Sequence, residues 1–181
     1  VLIDFNNDIV KSLKLKGSNA ISVNSKTNNI ISVIPAKKEL GYVGIPEKIN
    51  ADIVQSLLET DKIPVVAPLG LDKNNQTYNI NGDTAAGAIA KSLKSRRLLL
   101  MTNVEGVLNK KNKLIEEISS SEISEMIKNK TITEGMIPKI NTCLDAVDNG
   151  VTAVGIIDGR KKHSILFELF SDKGSGTLIR K

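Results

Sequence analysis

The sequence of 181 residues predicts an α/β fold in which a mainly parallel sheet is covered by helices. The first observation behind this is a set of near-continuous apolar runs, Ile63-Pro64-Val65-Val66-Ala67, Arg97-Leu98-Leu99-Leu100-Met101-Thr102 and Thr152-Ala153-Val154-Gly155-Ile156-Ile157, which read as strands buried on both faces. The second is that amphipathic helical stretches lie between them. Asn50 to Leu58 places Ile53, Leu57 and Leu58 on one face. Ser121 to Lys128 does the same with Ile123, Met126 and Ile127, and its acidic residues come early and its lysine late, as a helix dipole prefers.

The first forty residues read differently. Ala20 to Val23 and Ile30 to Ile34 flank the polar segment Asn24 to Asn29, the pattern of a hairpin with a longer loop. Val1 to Phe5 reads as the end of one element and Asp8 to Leu15 as a helix, so a preceding segment is expected. With no internal repeat or low-complexity linker, the turn-rich stretch from Pro68 to Gln76 is the best boundary, dividing the chain into residues 1–70 and 71–181.

Composition narrows the function. No apolar run approaches the roughly 18 residues that span a bilayer, so no membrane partner is expected and the cytoplasm is the default location. A single cysteine, Cys143, allows neither an intrachain disulfide nor a zinc cluster of cysteines. The net charge of +5 includes basic patches at Lys110, Lys111 and Lys113 and at Arg160 to Lys162. With only 3% aromatic residues, no stacking platform accompanies them; they read as solvated surface, and no nucleic acid partner is expected.

Chemistry gathers in three segments. In Asn79-Ile80-Asn81-Gly82-Asp83, alternation puts Asn79, Asn81 and Asp83 on one side of an extended segment. The plainer alternative is a polar turn with Asp83 as helix N-cap. The helix that follows begins Thr84-Ala85-Ala86-Gly87-Ala88, with too little side-chain bulk to keep a neighbouring backbone or phosphate away. The run Leu100 to Leu108 is a strand leaving into a polar loop with Gly106, at the carboxyl end where open parallel sheets bind ligands; an ordinary strand exit is the alternative. In Thr131 to Ile140, Gly135 and Pro138 mark a helix start, with Ile140, Leu144 and Val147 on the buried face. Lys139 falls in its first turn, where a cation opposes the dipole unless an anion lies beside it; an exposed, snorkelling lysine is the alternative.

These segments in this order, with Gly41-Tyr42-Val43-Gly44, Ile157-Asp158-Gly159-Arg160, Glu168-Leu169-Phe170 and Gly174-Ser175-Gly176-Thr177, resemble the N-acetylglutamate kinases of the amino acid kinase family over nearly the whole chain. The resemblance implies a three-layer α/β/α sandwich and ATP-dependent phosphorylation of the side-chain carboxylate of N-acetyl-L-glutamate, in arginine biosynthesis, with Mg²⁺ accompanying ATP. It implies that Asn79 contacts the acceptor, that Asp83 organises catalytic lysines and that Lys139 stabilises the transferring phosphoryl group. Asn103, Val104, Glu105, Gly106, Val107 and Leu108, with Thr131, Ile132 and Thr133, would line the adenine nucleotide. Residues 1–70 would be the remainder of a substrate-binding and dimerisation domain, and 71–181 the nucleotide-binding domain. No metal-ligand set is assigned.

Departures accompany the resemblance. Asn103 stands where the family mostly has Asp, and Glu134 where many members have Gly. The family's glycine-rich phosphate loop with its first lysine, and the glycine pair and arginine that hold the acceptor, would precede Val1, so the 181 residues alone are expected not to turn over. The segment His163 to Thr177 resembles the arginine feedback site of hexameric members, with Glu168 and Gly174 the expected contacts and Gly155 in place of a frequent histidine. His163 has no expected catalytic role. A homo-oligomer, dimer or hexamer, is the expected assembly. A carbamate, aspartate or uridylate kinase, and a non-catalytic nucleotide- or arginine-binding module, are the alternatives.

Overall fold

The computed structural model describes residues 1–132, 135–171 and 174–181. The chain forms two compact units, Val1–Leu93 and Lys94–Lys181. The division therefore falls at the end of a helix and not at residue 70, because the turn-rich stretch 68–76 holds a strand, Leu69–Leu71, and the turn that joins it to its antiparallel neighbour.

The N-terminal unit opens with α1 (Leu2–Leu15) and β1 (Ala20–Val23), then β2 (Ile31–Pro35) and β3 (Gly44–Ile49), joined through a short 3-10 turn at Lys38–Leu40. It continues with α2 (Ala51–Glu59), β4 (Ile63–Val66), β5 (Leu69–Leu71), β6 (Thr77–Asn79) and α3 (Gly82–Ser92). The α1 helix is continuous from Leu2, correcting the break expected between Phe5 and Asp8. Its inner stripe includes Asn6, whose polarity interrupts the apolar period in the sequence. Asn6 is nonetheless buried, because its amide donates to the Val65 carbonyl (2.8 Å) and its carbonyl accepts the Ser22 hydroxyl.

The expected β1–β2 hairpin does not form. β1 pairs in parallel with β4, while β2 pairs antiparallel with β3 and in parallel with β5, which in turn pairs antiparallel with β6. Asn24 explains the local part of this. Its side-chain carbonyl accepts the amides of Lys26 (2.9 Å) and Thr27 (3.3 Å), so the segment closes on itself instead of aligning its flanks. The core of this unit gathers Val23, Ile31, Val33, Val54, Ile80 and Ala85. In α2 the buried residue is Val54, with Ile53 and Leu57 packed beside it, while Leu58 is 51% exposed and lies off the expected face.

The C-terminal unit contains β7 (Arg97–Thr102), β8 (Glu117–Ser119), α4 (Ser120–Lys128), α5 (Ile137–Asp148), β9 (Ala153–Asp158), α6 (Ser164–Phe170) and β10 (Gly176–Arg180). Its sheet runs β7-β9-β10-β8, parallel at β7–β9 and β10–β8 and antiparallel at β9–β10. Every residue of β9 is buried, as its unbroken apolar run predicts. Ser119 caps α4 in a capping box with Glu122, and Ile123 is its fully buried contact. The buried face of α5 comprises Ile140, Cys143, Ala146 and Val147.

Candidate functional site

In the N-terminal unit, β6 ends at Asn79 and α3 begins at Gly82. The change from a two-residue to a 3.6-residue period between them means that Asn79, Asn81 and Asp83 do not continue one extended face. Asn81 is the N-cap, its side chain accepting the Thr84 amide (3.1 Å), and Asp83 lies half-buried in the first helical turn, at the positive end of the helix dipole. Asn79 is exposed, its backbone amide donating to the Tyr42 carbonyl (2.9 Å), and the Tyr42 and Tyr78 rings pack with centroids 5.9 Å apart. The segment Gly41 to Gly44 thus fastens the strand that presents Asn79.

In the C-terminal unit, β7 delivers the loop after Thr102 from its carboxyl end, as expected. A cavity of about 160 Å³ is lined by Val104, Gly106, Val107, Leu108, Asn109, Asn112, Thr131, Ile132 and Met136. Two of the segments singled out in the sequence, separated by more than twenty residues, therefore meet in one pocket. Its walls are mainly apolar with a few amide and hydroxyl groups, the chemistry that suits a planar heteroaromatic base. Asn103 and Glu105 do not line it. Asn103 is exposed, and Glu105 reaches Lys161 at 3.1 Å instead. Thr133, like Glu134, lies outside the described residues. Lys139 is half-buried in the first turn of α5, which starts at Ile137 with Pro138 next.

The basic patch at 160–162 is structured. Asp158, 3% exposed at the end of β9, accepts the Arg160 amide (3.0 Å) and receives its guanidinium at both oxygens (2.9 and 2.8 Å). These Arg160 hydrogen bonds hold the Asp158 carboxyl down at about 2.

A second cavity of this unit, about 200 Å³, is lined by Arg97, Glu116, Glu117, Glu168, Ser171, Gly174, Gly176 and Leu178. Glu168 and Gly174, named together from the sequence, share it. Glu168 is 7% exposed; its carboxylate accepts the Ser175 amide (2.9 Å), and the Arg97 guanidinium stands 3.7 Å away. Three carboxylates and one guanidinium line this acidic recess, and the Arg180 guanidinium pairs with Glu117 from outside the lining. His163 is the exposed N-cap residue of α6, in left-handed backbone conformation. Arg97 was read only as the start of an apolar strand, and Glu116 and Glu117 carried no motif, because only the sheet order brings the three to Glu168. In the cavity beside residues 104–108, Met136 belonged to the Thr131 to Ile140 segment without a role, and Asn112 carried no motif. Thr177 belonged to a quoted motif without a role.

Among the described residues no helix is long and apolar enough to cross a membrane, and no three His, Cys, Asp or Glu side chains cluster as a metal site.

Residues 2–158 match the amino acid kinase family model. Among similar proteins, the acetylglutamate kinase of Pelagibacter ubique (strain HTCC1062) is 56% identical over 181 residues, and that of Clostridioides difficile (strain 630) is 45% identical over 180. The match takes in 100% and 97% of this chain, respectively, and 63% of each relative, so the chain spans less than two thirds of their length. Among solved structures, a protein of Streptococcus mutans UA159 superposes with a TM-score of 0.78 at 34% identity, covering 94% of this chain and 64% of that one. N-acetylglutamate synthase from Neisseria gonorrhoeae, complexed with coenzyme A and N-acetyl-glutamate, superposes with a TM-score of 0.83 at 22% identity, covering 98% and 43%, a likeness of fold. The family match over residues 2–158, with relatives of 45–56% identity that span this chain, leads to one conclusion: the chain belongs to the amino acid kinase family.

Proposed function

We propose that this chain is part of an enzyme that phosphorylates the side-chain carboxylate of N-acetyl-L-glutamate with ATP, in arginine biosynthesis in the cytoplasm. The observation that carries the reading is the cavity where Val104 and Gly106 to Leu108 meet Thr131 and Ile132, whose mainly apolar walls suit an adenine base. The relatives of similar sequence that are acetylglutamate kinases support the acceptor. The C-terminal unit would hold the nucleotide, and the N-terminal unit would supply acceptor contacts, with Asn79 bonding the acceptor, and take part in a homo-oligomer.

The chemistry asks little of the protein. An acceptor carboxylate is already ionised at neutral pH, so no general base is required; one of its oxygens attacks the γ-phosphorus, the bond to the β,γ-bridging oxygen breaks, and ADP leaves. What remains is to position the reactants and neutralise charge. Lys139 would compensate the phosphoryl charge, and Asp83 would orient lysines about the centre. Mg²⁺, which supplies charge neutralisation at the phosphates, is proposed to enter with the nucleotide. The acidic recess at Glu168 and Gly174 favours a second, regulatory reading, in which a guanidinium-bearing ligand such as arginine binds there.

The test is an acyl-phosphate trapping assay on the protein that carries this chain. N-acetyl-L-glutamate is expected to be phosphorylated in preference to carbamate or aspartate, and Lys139→Ala to lower turnover on the order of 10²-fold to 10³-fold. Preference for another acceptor, or an unaffected Lys139→Ala, would remove the assignment.

A further inference from the structure

We infer that Thr177 is a positioning residue for the nucleotide pocket, holding its wall by a single buried hydroxyl; the inference rests on the nucleotide reading above. Thr177 is 1% exposed in β10. Its Oγ1 accepts the Val107 amide (2.8 Å) and donates to the Ile115 carbonyl (2.7 Å), so one hydroxyl uses both its capacities on the two limbs of the loop that lines the cavity.

The limbs are already tied to one another. The Ile115 amide donates to the Val107 carbonyl (2.9 Å), Leu108 and Leu114 form an antiparallel bridge, and Asn109 closes the turn by accepting the Lys111 and Lys113 amides at 2.9 and 3.0 Å. The loop is thus a preformed hairpin, and the Thr177 hydroxyl fixes that hairpin to the sheet. Gly106 shows how closely it is seated. At φ +145°, a β-carbon there would lie 2.5 Å from Thr177 Oγ1 and 2.8 Å from Leu114 Cδ1, so a side chain would lift the loop off the hydroxyl. The two-residue alternation of β10 separates its roles. Gly176 and Leu178 line the acidic recess, whereas Thr177 between them serves the nucleotide wall.

Replacing Thr177 by Val preserves shape but leaves the buried Val107 amide without an acceptor. Calorimetric titration with ATP of the protein that carries this chain is expected to show about tenfold weaker binding for Thr177→Val, in line with the loss of one buried hydrogen bond, and binding within about threefold of wild type for Thr177→Ser. Hydrogen exchange read by NMR is expected to speed up at the Val107 amide in the Val variant and not in the Ser variant. Equal ATP affinity in a folded Thr177→Val chain would overturn the inference while leaving the nucleotide reading intact. If the Val variant does not fold, the Ser variant decides: a loss of tenfold or more there means that the hydroxyl is not what holds the wall. Failure of the wild-type protein that carries this chain to bind ATP at all would overturn both readings together.

Discussion

At the scale of single residues, the side chains that matter are held by short, specific hydrogen bonds whose partners lie far away in sequence or only two residues off. Asp158 is the clearest local case. It was quoted in the sequence as part of Ile157-Asp158-Gly159-Arg160, and the structure adds that Arg160 folds back onto it with three hydrogen bonds. Because its folded-state value is depressed from 3.8 to about 2, the pair contributes stability above the unfolded value and loses it as pH falls through the folded one. Asp158→Asn is therefore expected to lower the thermal midpoint by a constant amount above about pH 5, with the difference from wild type shrinking between about pH 4 and 2. Melting curves of both chains across that range check this, and a difference that persists unchanged at pH 2 would contradict it. Asn6 and Thr177 are the opposite case: their buried roles depend on Val65 and on Val107 and Ile115, which no spacing rule connects to them.

At the scale of elements, strong periodicity was legible and pairing was not. The strands β4, β7 and β9 and the helices α2, α4 and α5 coincide closely with the expected segments, because continuous apolar runs and capping signals are local properties. The strands β3, β5, β6, β8 and β10 are short or polar and gave no comparable signal. Gly70 shows why the stretch around it misled. In the sequence Pro68-Leu69-Gly70 reads as a turn, yet Gly70 is the buried middle residue of β5, between β2 and β6. A β-carbon there would lie 2.6 Å from the Ile31 carbonyl oxygen and 2.6 Å from Val33 Cγ1. The glycine is needed for close approach of strands, not for a turn. Gly70→Ala is accordingly expected to cost about 2 kcal/mol of stability, at the level of overpacking a tight core, measured by urea denaturation. Gly82→Ala, at a position with no heavy atom within 4 Å of the added carbon, serves as the control and should change stability far less.

At the scale of the whole molecule, each unit has its own buried apolar set: Ile31, Val33, Ile80 and Val54 in the first, and Ile140, Ile156, Ile179 and Ile123 in the second. Units with separate cores are expected to open separately. Ile31→Ala should raise amide exchange across β2, β3, β5 and β6 while leaving β7, β9 and β10 protected, and Ile156→Ala should do the reverse. Uniform acceleration of both sets by either substitution would show a single cooperative unit instead.

The same scale separates what the sequence determined alone from what tertiary structure decided. The α/β class, the three apolar strands and the helix bearing Lys139 could be named from local pattern, since side-chain period, caps and glycine placement act within a few residues, and the two segments that meet in one cavity were named by the family resemblance of their motifs. Strand partners, the division at Leu93, the place of Asp83 inside a helical turn, and the joining of Arg97, Glu116 and Glu117 with Glu168 could not. These depend on which apolar faces find one another across the fold. That choice is a sum of many weak non-local contacts, so it exists only once the chain has packed.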